Sequence, residues 1–350
     1  MGDFTLNAGK MKIIWGKGDK LHVIDNFNAD DYTEFIIPDY LDRRLSTPML
    51  QAIYAPPYSN GTLSNVRLEA VYTPFLPTDR FAQDGYWVPG QVNSLKSEIQ
   101  GIVSANLAGK LAKTQTASNP PNYAANAEYL EYLTYANGLL SDPASVYPET
   151  NTLEYSQFGT RLTATLRQFD VGASYYFGHF KQPTVDLSSY ISDVTALSSD
   201  TSFLTSFGAA LASGATTAQD AAKAYAATGG TTLSVPELHY DQKQTFGLEA
   251  STILWHFNVR GEAAYNLTED TAGDDPFVHN NSVAWLFGFD IDLPFANMNV
   301  NIQETGTYTL NYDKVEDGSF KEYDADYNAG YASNNRLVAN ITTSFMNEKL

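Results

Sequence analysis

The charged residues of this chain recur at intervals of two. Arg67 precedes Glu69, Arg260 precedes Glu262, and Asp290 precedes Asp292. Arg161, Thr163, Thr165 and Arg167 form a longer line, as do Lys243, Thr245, Glu249 and Ser251. Asn299, Asn301 and Gln303 form another, and so do Arg336, Asn340, Thr342 and Ser344. A spacing of two puts side chains on one face of a β-strand. Laid side by side, these lines make a polar wall in which Arg67, Arg161, Arg260 and Arg336 stand against Glu69, Glu249, Glu262, Asp290 and Asp292. Facing rows of Arg and carboxylate in a narrow channel impose a transverse field that orders water and selects polar solutes. The same residues can instead brace one another as salt bridges and fill the interior of a small barrel.

Other chemistry finds less support. The five histidines, His22, His179, His239, His256 and His279, do not fall at metal-ligand spacing, and no His-Glu-x-x-His motif occurs. No metal and no cofactor is expected. A hydrolase would need a nucleophile, a base and an orienting carboxylate together, and His179 or His256 beside a serine is the arrangement to test for. The acidic stretch from Asp313 to Asp326 lacks EF-hand spacing and reads as a solvated loop. The chain has no Cys, which removes disulfides and thiolate catalysis. A net charge of −19 leaves no basic patch to displace counterions, so nucleic acid is excluded as a partner.

The residues between the polar ones are large and apolar. In Val283 to Leu293 every odd position is apolar, and the even ones are small or carboxylate apart from Leu286. Phe158, Leu162, Ala164 and Leu166 oppose the Arg161 line, Phe246, Leu248 and Leu254 the Glu249 line, and Leu337, Ala339, Ile341 and Phe345 the Arg336 line. Ten such strands are predicted near 4–15, 47–55, 64–75, 153–167, 169–180, 237–254, 257–267, 282–293, 298–312 and 332–346. Each approximates the ~9–11 residues of a tilted membrane strand.

Tight turns are expected at Arg167 to Asp170, Leu254 to Phe257, Pro294 to Asn297 and Ser59 to Thr62, the last with Asn60-Gly61 supplying positive φ. Long connections at 76–152, 181–236, 268–281 and 313–331 alternate with them, which is the loop asymmetry of outer-membrane barrels. Leu95 to Leu111, Ala124 to Leu140 and Ser188 to Ala227 read as helical, either as a pore constriction or as surface decoration. Tyr175, Phe177, Trp285, Phe287, Phe289, Tyr308 and Tyr312 are candidates for aromatic girdles at the headgroups. No apolar run reaches the ~18–20 residues of a transmembrane helix, and mean hydropathy is −0.28.

The reading is an all-β, antiparallel transmembrane β-barrel, a partial one, running as a single domain over 1–350 with inserts at 76–152 and 181–236. The first residues lack the basic start and apolar core of a signal peptide, and the last ones lack a terminal aromatic, so a fragment is expected.

Gly9 to Asp19, with Trp15-Gly16 at its centre, is followed by Ile24-Asp25-Asn26-Phe27-Asn28-Ala29-Asp30-Asp31-Tyr32, then Pro38, Arg43-Arg44 and Leu68 to Phe75. This resembles poorly characterised Gram-negative outer-membrane porin-like β-barrel proteins, in which a strand ends in Trp-Gly and Asp and an Asp-rich loop follows. The resemblance covers residues 9–75 and extends loosely to Gly159 to Leu162 and Gly261 to Tyr265. It implies that Trp15 anchors a strand end at an interface and that Gly16 lets the chain turn before Asp19. It also implies that Asp25, Asn28 and Asp30 hydrogen-bond a folded loop.

The functional expectation is therefore not an enzyme but a passive outer-membrane channel for small polar solutes. Its partners would be outer-membrane lipid and the solute, with a homo-oligomer possible. A surface adhesin using the long loops, an outer-membrane hydrolase and a secreted soluble β-protein are the alternatives.

Overall fold

Alternation with a period of two builds one continuous antiparallel sheet from ten of the chain's strands. The structure is a computed structural model; it describes residues 3–19, 21–34, 40–81, 148–186, 189, 192, 237–275, 277–294, 298–311, 314 and 333–343. In chain order the strands are β1 (Phe4–Met11), β2 (Asp31–Tyr32), β3 (Thr47–Tyr54), β4 (Leu63–Thr73), β5 (Arg80–Phe81), β6 (Gln157–Leu166) and β7 (Phe169–His179). There follow β8 (Thr184–Asp186), β9 (Glu237–His239), β10 (Gln242–Leu254), β11 (Phe257–Thr268), β12 (Ser282–Leu293), β13 (Met298–Thr309) and β14 (Ser333–Thr343). A one-turn helix, α1 (Tyr40–Arg43), precedes β3.

The sheet runs β1-β3-β4-β6-β7-β10-β11-β12-β13-β14, each long strand beside the next in sequence. Every pairing within it is antiparallel. Among the described residues β1 and β14 do not pair with each other, so no closed barrel is seen.

Two compact units can be distinguished. One comprises residues 1–87, 149–183 and 240–350 and holds this sheet together with the parallel pair β2 and β5. The other comprises 88–148 and 184–239, segments largely within the two expected inserts, and its described part is β8 paired with β9. The predicted helices at 95–111, 124–140 and 188–227 lie outside the described residues, save for isolated positions.

Each of the ten predicted strands overlaps one of the ten observed in the sheet, with differences in extent: the strand expected over 237–254 divides into β9 and β10, and residues 153–155 form a 3-10 turn ahead of β6. The first was expected to run from 4 to 15 and stops at Met11. Short links join β6 to β7 through Arg167-Gln168 and β10 to β11 through Trp255-His256, with φ of 58° at Arg167 and 56° at Trp255. The link from β3 to β4 is longer than the expected tight turn, spanning 55–62, with Gly61 at φ 79° and the Asn60 side chain accepting from the Thr62 and Leu63 amides. The β12–β13 link is short too. Because the strands alternate in direction, these four links share one edge of the sheet. The connections 12–46, 74–156, 180–241, 269–281 and 310–332 all leave from the other.

The two faces differ in an unusual sense. The apolar face is bare: Leu248 is 63% exposed, Phe287 53% and Leu337 69%. The polar face is covered: Glu249, beside Leu248 in sequence, is 5% exposed, and Gln303 is fully buried. The cover is the chain's own segment between β1 and β3, which lies across the polar face and buries Ile13, Trp15, Ile24 and Phe27 there.

Candidate functional site

The polar face and the segment folded onto it make one site. Met11 shares the polar-face parity of Asn7 in β1, and the parity continues through Ile13 to Trp15 after the strand has ended. These side chains pack with Phe27 onto Met49, Val71 and Tyr176, apolar residues that face the polar side of β3, β4 and β7. Phe27 stands edge-on between Trp15 and Tyr176, with ring centroids 5.0 and 5.2 Å away, a favourable aromatic geometry. A second contact sets Ile24 against Ala264 and Ala284 of β11 and β12. Trp15 is therefore no interfacial anchor: it has no exposed surface, because β1 ends at Met11 and the indole packs in the buried cluster.

Hydrogen bonds tie the segment down. Glu262 reaches from β11 and accepts from the backbone amides of Lys17 at 2.6 Å, Gly18 at 2.7 Å and Val23 at 3.0 Å. Gly16 is required at this approach, since its φ is 111° and a Cβ there would overlap the Glu262 carboxylate. Asn28 holds the segment's two ends together: its Oδ1 accepts from the Ile13 amide at 2.8 Å and its Nδ2 donates to the Met11 and Leu45 carbonyls. Asp25 and Arg44 form a buried ion pair at 2.5 Å, and Arg44 also donates to the Ile13 carbonyl. Asp30 accepts from the Tyr32 hydroxyl, and its amide donates to Asp79. Asp25, Asn28 and Asp30 thus hold a folded loop.

Burial governs the ionisation of this loop. The Asp25 carboxyl is pushed up to about 7 by loss of solvent, against the pull of Arg44. His22 is pushed down to about 4, by burial first and by Arg44 second. Burial also raises Asp30 and Asp79.

The rows read from the sequence meet across the sheet. Gln51 donates to Glu69 at 2.6 Å and Arg67 to Glu69 at 3.3 Å. Arg161 on β6 reaches over β7 to Glu249 on β10, 2.5 Å away. The strand between them carries Gly172 at the crossing point, where a Cβ would strike the Glu249 carboxylate. Arg260 pairs with both Asp290 and Asp19, and Asn258 donates to Asp290 at 2.8 Å. Asn301 donates to Asp19 at 2.6 Å, while Gln303 donates to it and accepts from its amide. Lys243 donates to Asn26 at 2.8 Å and lies over the Phe180 ring.

Three of the expected residues sit elsewhere. Arg167 is exposed in the β6–β7 turn, one residue past the end of β6, so it does not join the Arg161 line. Asp292 is exposed near the end of β12 with Asn299 as its donor. Arg336 keeps the polar parity of β14 but is exposed, since nothing described covers that strand.

Between residues 11–17 and strands β3, β4 and β6 lies an open cavity of about 620 Å³. Lys12, Lys17, Arg67, Arg161 and Glu69 line it, together with Gln51 and Thr163. Lys12 and Lys17 lay within the 9–19 stretch of the resemblance and were not among the residues expected to line the polar wall. Trp255, 90% exposed in its turn, was likewise seen only as a turn residue.

The two histidines named for the hydrolase alternative, His179 and His256, lie at opposite ends of the sheet's strands. His179 is buried with its ring against Tyr155, and His256 lies in the β10–β11 turn. His279 stacks on Phe180 and bonds Asp241 through Nδ1 at 2.5 Å. Among the described residues no group of three or more His, Asp or Glu is placed to hold a metal ion, and no helix is long and apolar enough to cross a membrane. No family model and no curated protein matches this chain.

Proposed function

We propose that this chain forms the wall of an outer-membrane β-barrel that passes small polar solutes along its polar face. The observation that carries this reading is the inverted burial of the sheet. Large apolar side chains stand exposed on one face, while Glu69, Glu249, Glu262 and Asp290 are covered on the other. A water-soluble sandwich gains its stability by burying the apolar face, at roughly 25 cal/mol per Å². An apolar patch this extended on a protein surface marks contact with lipid or with another protein. Strands of 8 to 13 residues match the hydrocarbon thickness, and links sorted by length to the two edges fit a barrel with tight turns on one side. Trp255, at the tip of a short link, suits the headgroup level.

In this reading residues 12–46 narrow the passage, and the paired charges of the wall set its field. Purified protein added to a planar lipid bilayer should give discrete conductance steps. Repeated absence of steps, with protein shown to be inserted, would count against a channel.

A further inference from the structure

We propose that the cavity between residues 11–17 and strands β3, β4 and β6 binds a small oxyanion, a carboxylate or a phosphate. The inference deepens the channel reading by naming the class of solute that would pause there, and it rests on that reading only for its setting.

The argument is one of local against global charge. The chain as a whole carries a net charge of −19, so a pocket left to chance would be lined by carboxylates. This one is lined by four cationic side chains, Lys12, Lys17, Arg67 and Arg161, and one carboxylate, Glu69. The arginines are held in place by their carboxylates: Arg161 by buried Glu249, and Arg67 by Glu69, itself fixed by Gln51. Positioned arginines present fixed pairs of donors suited to two oxygens of a carboxylate or a phosphate, whereas lysines act as adjustable point charges.

The main chain at Lys17 is fixed, since its amide and that of Gly18 are clamped on Glu262. Ile13 and Ile14 supply an apolar side, and Gln51 and Thr163 further polar atoms. A volume of about 620 Å³ falls within the ~300–1,000 Å³ range of small-molecule sites. Only local cations that outweigh the background allow an acidic protein to concentrate anions.

The test is binding, measured apart from transport. Detergent-solubilised protein is titrated calorimetrically with succinate and, separately, with inorganic phosphate. Saturable binding of at least one anion is expected, weakened about tenfold or more in Lys17→Gln and in Arg67→Gln. Lys10→Gln, on the opposite face of β1, should leave it unchanged. The succinate and phosphate arms tell a carboxylate site from a phosphate site. No saturable binding, or binding undiminished in both cavity variants, overturns the inference. Conductance without anion binding sinks this proposal alone, and anion binding without conductance sinks the channel reading alone.

Discussion

Asp25 and His22 lie three residues apart in the inward segment, and burial drives them toward neutrality from opposite sides. Asp25 rises from 3.8 to about 7, so the folded segment holds a proton that the released segment gives up. Its contribution to seating is complete below pH 3.8 and is lost as pH rises through about 7. His22 falls from 6.5 to about 4, so its contribution is complete above pH 6.5 and is lost as pH falls through about 4. The two windows overlap and their slopes oppose. Hydrogen-exchange protection of the Ile13 and Gly18 amides, which bond Asn28 and Glu262, should therefore change little across this range in the unaltered protein. In His22→Gln protection should fall as pH rises toward 7, and in Asp25→Asn it should fall as pH drops toward 4. Slopes of the same sign in both variants would refute this balance.

The inward segment is the element on which the site depends, and Trp15 is its largest fully buried side chain. Truncating a buried aromatic costs about 3–5 kcal/mol. Trp15→Ala should speed proteolytic cleavage within 12–46 in folded protein while the far-ultraviolet signal of the sheet is kept. An unchanged cleavage rate would mean that the indole does not hold the segment.

The strands themselves were legible because a two-residue period needs only local sequence, and their parity placed the charged side chains on one face without saying which would meet. The pairs Arg161 with Glu249, across β7, and Arg260 with Asp290 depend on strand order and register, which the period does not give. The fold-back was not legible, since Glu262 meets Lys17 across 245 residues with no pattern linking them. A trace of it was present all the same. Leu286 broke the alternation of its strand, and Ile13 and Trp15 continued the polar-face parity with apolar side chains. Leu286 and Trp15 proved to be buried under or within the folded segment, Leu286 beside Gly18. Apolar exceptions on a polar face marked where the chain would dock. Expecting Trp15 at an interface came from treating it as a strand end without following that parity.

At the scale of the molecule, the account stands on which face of the sheet meets hydrocarbon. The chain has no Cys, so single cysteines can be introduced along one strand and spin-labelled without background. Leu248, Ala250 and Thr252 alternate with Glu249, Ser251 and Ile253 in β10, and Val283 to Phe289 offers a second series in β12. The most direct measurement is the accessibility of these labels to oxygen and to a water-soluble nickel complex, in protein reconstituted into lipid vesicles. The account predicts oxygen maxima at Leu248, Ala250, Trp285 and Phe287 with low nickel access, and a period of two along each strand. High nickel access at those positions, or oxygen maxima at Glu249 and Leu286, would contradict it.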